Sequence, residues 1–215
     1  MSVFITFEGI EGSGKSSVIA AIGKFLSEQN CPALQTREPG GTELGQEIRR
    51  ILLQTTPAPC HLAELLLFAA DRAQHIAQVI RPALDSGTVV LSDRYADSTL
   101  AYQGYGRGVS LELLSRLHTI ATADLAPDMT LLLDLPVQTG LERAALRRGE
   151  DQASWTRFEA ETLEFHEAVR NGFLVLAQKN PQRFRVINAS QPLTDVINEA
   201  TSHVEALIKL TANSR

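Results

Sequence analysis

The chain has 215 residues, of which 44% are hydrophobic and 21% are charged, a composition typical of one globular domain with a sizeable core. Its formal net charge of −5 argues against a nucleic-acid groove, and no apolar run approaches the length of a membrane span. Cys31 and Cys60 lack metal-ligand spacing, so we expect two reduced, packed thiols in a cytoplasmic protein.

The predicted elements alternate between short apolar runs and amphipathic segments. Five runs predict buried strands, at residues 3–8, 33–37, 88–93, 129–135 and 183–189. Helices are expected over 15–29, from a cap at Thr42, over 61–85, within 94–123, after Pro136 and over 192–210. This alternation predicts an α/β fold in which a five-stranded parallel sheet carries helices on both faces and ligands bind beyond the carboxyl ends of its strands.

A glycine-rich turn follows the first predicted strand. Gly9, Gly14, Lys15 and Ser16 match the pattern G-x-x-x-x-G-K-[ST], with a strand before the turn and a helix after it. Glycines let backbone N–H groups form an anion nest, and the helix N-terminus adds positive potential. We expect ATP to bind along this loop, through Gly9, Ile10, Glu11, Gly12, Ser13, Gly14, Lys15, Ser16 and Ser17. Lys15 is expected at the β- and γ-phosphates and the Ser16 hydroxyl at Mg²⁺.

The loop alone does not identify the reaction, because motors, switches and kinases share it. A second block, SDRYADSTLAYQGYGRG (92–108), follows the third predicted strand and so lies at the same edge of the sheet. Taken with TREPGGT (36–42), LLFAADRAQH (66–75) and IEGSGKSS (10–17), this block resembles bacterial thymidylate kinase. The resemblance extends from about residue 3 to residue 208 and is loosest at 147–156.

This resemblance implies a three-layer P-loop nucleoside monophosphate kinase fold. It implies a single domain over 1–215 with a short mobile lid at about 143–159. The implied activity is transfer of the γ-phosphate of ATP to dTMP with Mg²⁺, by a cytoplasmic homodimer that needs no nucleic acid and no membrane. The helix predicted over 61–85 offers an apolar stripe, which is either the dimer surface or part of the core.

The resemblance also implies roles for individual side chains. Arg94 and, less firmly, Arg49 would hold the acceptor phosphate, and Asp93 would lie near Mg²⁺. At the base, the resemblance implies that Phe68 stacks on thymine and that Arg72, Gln103 and Ser98 contact its edge. At the sugar, it implies Tyr102 where a ribose 2′-hydroxyl would project and Glu11 at the 3′-hydroxyl.

Each of these residues also has a plainer interpretation when it is considered alone. Glu11 could point to solvent, Phe68 could be core, Arg72 could lie on a solvated helix face, and Asp93 could cap its strand. Only their coincidence with the other blocks favours a shared site. The five histidines are scattered without ligand spacing, so neither a metal site built from histidines nor a catalytic histidine is expected.

The implied chemistry needs positive charge but no general base. A phosphate monoester has a second pKa of about 6, so the acceptor is already ionised at neutral pH. The glycine-rich loop contains no arginine, and we therefore expect arginines of the lid to complete the charge. Arg148 and Arg157 are the favoured candidates, ahead of Arg147 and Arg143. An extra DQASW segment and Thr156, which stands where an aspartate is expected, depart from the family pattern.

Three other functions fit parts of the sequence. A kinase for another nucleotide or nucleoside would share the donor loop, although a nucleoside kinase would need a base. A P-loop switch is weakly supported because the D-x-x-G and N-K-x-D motifs are not found. An interaction protein with an inactive loop is disfavoured because Lys15, Ser16, Asp93 and Arg94 are all present.

Overall fold

The structure is a computed structural model that describes residues 2–148, 158 and 160–213, without the side chains of residues 147, 148 and 213. Its strands are β1 (Val3–Glu8), β2 (Ala33–Arg37), β3 (Val89–Asp93), β4 (Met129–Asp134) and β5 (Phe184–Asn188). All five predicted strands are therefore confirmed, with ends that shift by at most one residue.

The strands form one parallel sheet in the order β2-β3-β1-β4-β5. Strand β1 lies at the centre, and all of its residues are buried. Because the strands are parallel, their carboxyl ends meet at one edge of the sheet. The register pairs Phe7 of β1 with Asp93 of β3, and thereby brings the two loops that follow these strands side by side.

Helices cover both faces of the sheet, as predicted. They are α1 (Lys15–Glu28), α2 (Glu43–Gln54), α3 (His61–His75), α4 (Arg81–Asp85), α5 (Ala96–Thr99), α6 (Leu111–Thr122), α7 (Val137–Arg148), α8 (Leu163–Lys179) and α9 (Leu193–Asn213). The helix predicted over 61–85 is present, but a π-helical turn at Ile76–Ile80 joins α3 to α4. A second π-helical turn, Leu100–Gly106, follows α5. Thr42 caps α2 as expected, since its hydroxyl accepts from Gly45 N at 2.9 Å.

Alternate residues of β1 face two separate clusters of the core. Val3, Ile5 and Phe7 belong to the larger cluster, which includes residues of α1, α8 and α9. Phe4 faces the other side and packs with Tyr95 and with residues of the π-helical turn after α3. The sheet is therefore buried on both faces, which is the layered arrangement expected for parallel strands.

Helix α3 carries apolar residues on a core face and on an exposed face. Leu65 is buried, whereas Leu62 and Leu66 are 58% and 50% exposed. Ala73 and Ala77 continue the exposed face at helical spacing. The apolar stripe predicted over 61–85 is thus divided between a buried face and an exposed face.

The expectation of two packed thiols is wrong for one of them. Both cysteines are free, Cys31 is half-buried, and Cys60 is exposed. Cys60 occupies the position before α3, where extended backbone turns into the helix. Among the described residues, no helix is both long enough and apolar enough to cross a membrane.

Candidate active site

One cavity of about 370 Å³ lies at the carboxyl edge of the sheet. The phosphate loop forms one wall, and residues of the block after β3 form another. Fourteen of the predicted site residues line it: Glu11, Gly12, Ser13, Gly14, Lys15, Ser16, Arg49, Phe68, Arg72, Asp93, Arg94, Ser98, Tyr102 and Gln103. The structure therefore gathers residues from four separate sequence blocks into one concave site.

The phosphate loop has the backbone that its glycines predict. Gly12 and Gly14 have φ values of +74° and +91°, which side chains rarely tolerate. A Cβ at Gly12 would also collide with the carbonyl oxygen of Gly140 on α7, because the loop packs directly on that helix. Helix α1 then starts at Lys15, so its unpaired N–H groups face the cavity.

Lys15 is buried and folded back over its own loop. Its Nζ donates to the carbonyl oxygens of Gly9 and Ile10 at 2.9 and 3.1 Å, and lies 3.3 Å from Ser13 Oγ. Burial, followed by repulsion from Arg94, lowers the pKa of Lys15 to about 8. An anion in the loop would supply the opposite charge that this buried ammonium needs.

Arg94 lies where the wall formed by the phosphate loop meets the wall formed by the block after β3. Its backbone adopts a φ of +71°, an uncommon conformation for a residue with a side chain. Its guanidinium donates to Glu11 Oε1 and to Tyr102 Oη at 3.0 Å each, and to Ser98 Oγ at 3.1 Å. Three side chains thus hold the guanidinium in place beside the cavity.

Glu11 faces Arg94 across the cavity mouth. Burial alone would raise the pKa of Glu11, but Arg94 and Lys15 outweigh burial and hold this pKa below its ordinary value. Its Oε1 also accepts from Tyr102 Oη at 2.7 Å, whereas its Oε2 is buried with no hydrogen-bond partner among the described residues. The interpretation of Glu11 as a solvated loop residue is therefore wrong, because the carboxylate points inward.

The far end of the cavity is apolar, with polar groups at its edge. Phe68 is half-buried against the core and stands 6.1 Å, centroid to centroid, from Phe158. Arg72 is 3% exposed, so it does not lie on a solvated helix face. Arg72 donates to Glu38 at 2.7 Å, to Thr99 at 3.0 Å and to the Tyr95 carbonyl at 2.9 Å.

The remaining predicted residues lie in or near the phosphate loop end of the cavity. Arg49 donates to the carbonyl oxygen of Pro39 at 3.0 Å and lines the cavity. Asp93 lies at the end of β3, and its Oδ1 is buried without a partner among the described residues. Ser16 is exposed in the first turn of α1. Gly9 and Ile10 contribute carbonyl oxygens to Lys15, while Ser17 does not line the cavity.

Several residues behind the cavity wall were missed by sequence reasoning. Glu8 is fully buried and accepts hydrogen bonds from Tyr95 N at 2.9 Å and from Ser98 Oγ at 2.6 Å. His166 is also fully buried, and its Nδ1 lies 3.8 Å from Glu11 Oε2. No motif marks either position, and only the fold brings His166 of α8 to the phosphate loop.

The lid arginines fall largely outside the described residues. The structure does not describe Arg157 or the side chains of Arg147 and Arg148, so the catalytic role expected for these arginines stays a prediction. Arg143 is described, and its Nη1 donates to the carbonyl oxygen of Ala189 at 2.8 Å. That bond ties α7 to the loop after β5, which fits the weaker role expected for Arg143.

Comparisons with known proteins agree on one family. The family model for thymidylate kinase matches residues 7–200. The chain is 51% identical to the thymidylate kinase of Desulfovibrio desulfuricans over 96% of this chain and 97% of that protein. It is 50% identical to that of Carboxydothermus hydrogenoformans over 95% and 97% of the two chains. The crystal structure of thymidylate kinase from Ehrlichia chaffeensis is similar with a TM-score of 0.75 and 35% identity, over 96% of this chain and 98% of that one.

The buried carboxyl of Glu8 yields a testable pH dependence. Burial, followed by repulsion from Asp97, raises the pKa of Glu8 from 4.5 to about 7. Between these two values the folded state keeps a proton that the unfolded state releases, so the contribution of Glu8 to stability falls as pH rises. We predict that Glu8→Gln, which stays neutral, loses less unfolding free energy than the parent between about pH 5 and 7.5.

Urea unfolding at several pH values in this window measures the effect. Other buried acids, such as Asp71, titrate alike in both proteins and cancel in the difference. Exposed Glu47 provides a matched control, because Glu47→Gln should follow the parent across the whole range. Parallel curves for Glu8→Gln and the parent would show that Glu8 does not titrate as described.

Proposed function

The chain belongs to the thymidylate kinase family, and we propose that it transfers the γ-phosphate of ATP to dTMP in the cavity at the carboxyl edge of its sheet. The observation that carries this proposal is the junction at Arg94, where the phosphate loop and the acceptor block share one cavity. A donor loop alone would fit many nucleotide-binding proteins, but here the same cavity continues past the loop to an apolar end lined by Phe68 and a charged end lined by Arg94.

The lining of the cavity suits dTMP with its base inward and its phosphate towards the loop. Phe68 offers a flat apolar face for thymine, and Arg72 retains N–H donors for a base carbonyl, since three of its five are engaged. The Glu11 carboxylate would accept from the sugar 3′-hydroxyl, and its Oε2 has no hydrogen-bond partner among the described residues. Tyr102 lines the cavity beside Glu11 and would press against the sugar where a ribose 2′-hydroxyl would project.

Arg94 acts as the clamp of the acceptor phosphate. Its planar guanidinium suits two phosphate oxygens, and Tyr102 supports it from below, with the guanidinium carbon 4.9 Å from the ring centroid. A phosphate that binds Arg94 would compete with Glu11 for the same N–H groups. The carboxylate would then be free to accept from the sugar. Arg49 lines the same end and is the second phosphate ligand of this proposal.

The donor side fits ATP with Mg²⁺. Ser16 and Asp93 would hold the ion, since both offer hard oxygen ligands and Asp93 Oδ1 is buried without a partner among the described residues. When bound, the ion would neutralise part of the negative charge of the phosphates. The loop residues 9–17 would bind the phosphates through their N–H groups, and Lys15 would turn from its own carbonyls towards them.

The chemistry needs positioning and charge rather than a base. An oxygen of the dTMP phosphate is already ionised and attacks the γ-phosphorus in line with the departing ADP oxygen. Lys15 and Arg94 supply two fixed positive charges near the reacting groups. We propose that Arg148 and Arg157, on a lid at about 143–159, add the charge that the phosphate loop lacks. Closure of this lid over a single domain of 1–215 would also exclude water.

The exposed face of α3 supports a homodimer. Leu62 and Leu66 lie half-exposed on α3, and Leu113 and Ile120 on neighbouring α6 are 47% and 78% exposed. An apolar surface of this kind usually marks an interface, and two copies of one face suit a two-fold axis. A cytoplasmic location is part of the same proposal, supported by the two free cysteines.

A panel of acceptors tests the function directly. ADP release with ATP–Mg²⁺ should be fastest with dTMP when the panel also contains dUMP, UMP, dCMP and AMP. We predict that kcat/KM for dTMP exceeds that for dUMP by roughly 10- to 200-fold, the usual range for one methyl group in an apolar pocket. Equal or better use of dCMP or AMP would contradict the thymidylate assignment.

The contact between Glu11 and the sugar gives a second prediction. In the parent, 3′-deoxy-dTMP should lose about tenfold or more in kcat/KM, because a charge-assisted hydrogen bond contributes about 1.5–3 kcal/mol. In Glu11→Ala, kcat/KM for 3′-deoxy-dTMP should be close to that for dTMP, while ATP binding stays largely intact. Tyr102→Phe is the control, since it keeps the carboxylate and should keep the penalty. If removal of the 3′-hydroxyl lowered kcat/KM by the same factor in Glu11→Ala as in the parent, the contact would be absent.

The dimer face gives a third prediction. Leu66→Glu places a charge in the centre of the exposed face of α3. We expect size exclusion coupled to light scattering to show a dimer for the parent and a monomer for this variant. Leu146→Glu is the matched control, because Leu146 is 83% exposed on α7, away from this face. A monomeric parent, or a dimer that survives Leu66→Glu, would rule out this interface.

A further inference from the structure

A buried carboxylate lies behind the base end of the cavity and belongs to no predicted motif role. Glu64, in the first turn of α3, has no exposed surface. Its Oε1 accepts a hydrogen bond from Gln103 Nε2 at 2.8 Å. Gln103 is itself 1% exposed and lines the cavity, so Glu64 touches a cavity residue without lining the cavity itself.

This contact fixes which end of the Gln103 amide faces the cavity. A carboxylate only accepts hydrogen bonds, so the amide must direct its N–H₂ group at Glu64. The Gln103 Oε1 atom then points the other way. Among the described residues, no group donates to this oxygen, which leaves it as an acceptor for a ligand.

Arg107 lies beside Glu64 but does not replace the contact between Glu64 and Gln103. Its Nε lies 3.6 Å from Glu64 Oε1, beyond hydrogen-bond distance, while its Nη2 donates to Glu161 at 2.6 Å. Of these two neighbours of Glu64 Oε1, Gln103 is therefore the hydrogen-bond partner.

We propose that Glu64 is a positioning residue for base selection, because it holds Gln103 with its carbonyl oxygen towards the nucleobase. This inference rests on the proposed function and assigns Glu64 a role in that same site. Thymine and uracil carry a hydrogen on ring N3 and can donate to Gln103 Oε1. Cytosine has an unprotonated N3 at the same place, so two acceptors would face each other and one would stay unpaired.

Replacement of Glu64 by glutamine should relax this selection. The new amide can accept from Gln103 or donate to it, so the Gln103 amide becomes free to turn over and donate to cytosine N3. We expect the ratio of kcat/KM for dTMP to that for dCMP to fall about tenfold in Glu64→Gln, the size of one hydrogen bond. The ratio of dTMP to dUMP should not change, because those bases differ only in the methyl group.

These two ratios separate positioning from general damage. A merely structural role for Glu64 would lower activity with all three acceptors in parallel and leave both ratios unchanged, which would overturn the proposal. Glu161→Gln is the matched control, since it removes the other carboxylate beside Arg107 but does not contact Gln103. A fall in the dTMP-to-dCMP ratio in Glu161→Gln would equally contradict the assignment to Glu64.

A second variant keeps the test decisive if Glu64→Gln folds poorly. Gln103→Ala should lower the dTMP-to-dCMP ratio on its own, and Glu64→Gln should then have no further effect on that ratio in the Gln103→Ala background. An unchanged ratio in Gln103→Ala would overturn the proposal. Failure of the parent to use dTMP would instead count against the proposed function, whereas an active parent with unaltered ratios counts only against Glu64.

Discussion

The ion pair between Arg94 and Glu11 joins the two halves of the site. These residues are 83 positions apart, yet the pairing of β1 with β3 brings the loops that follow these strands together. Arg94 adopts an uncommon backbone conformation directly after β3, and its guanidinium lies 3.0 Å from the carboxylate. The pair places a positive and a negative group side by side in the cavity. Arg94 would bind the anionic phosphate of the proposed substrate, and Glu11 would accept a hydrogen bond from its sugar hydroxyl.

Buried carboxylates behind the cavity wall orient the groups that face it. Glu8 binds Ser98, which in turn accepts from Arg94. Glu38 holds Arg72, and Glu64 holds Gln103. For Arg72 and Gln103, the buried acceptor engages donors on one side of the side chain and leaves other polar groups of that side chain for a ligand. This arrangement fixes geometry before binding, which lowers the cost of ordering the site around its substrate.

Regular patterns made most of the fold and the cavity lining predictable. Strand runs, the glycine-rich loop and the block after β3 are local signals, and the parallel topology places all of them at one edge. Glu64 gave no such signal, because an acid in the first turn of a helix normally caps that helix and its partner Gln103 lies 39 positions away. Cys60 was misjudged for a related reason, since burial at a helix start depends on neighbours that are remote in sequence.

A crystal structure with dTMP and a non-hydrolysable ATP analogue tests the central claim most directly. The claim is that Arg94 leaves Glu11 for the acceptor phosphate and that Glu11 then accepts from the sugar. The predicted result is a guanidinium within hydrogen-bond distance of two dTMP phosphate oxygens, with a Glu11 oxygen at the 3′-hydroxyl. An Arg94 that stays paired with Glu11 while the dTMP phosphate binds elsewhere would contradict it.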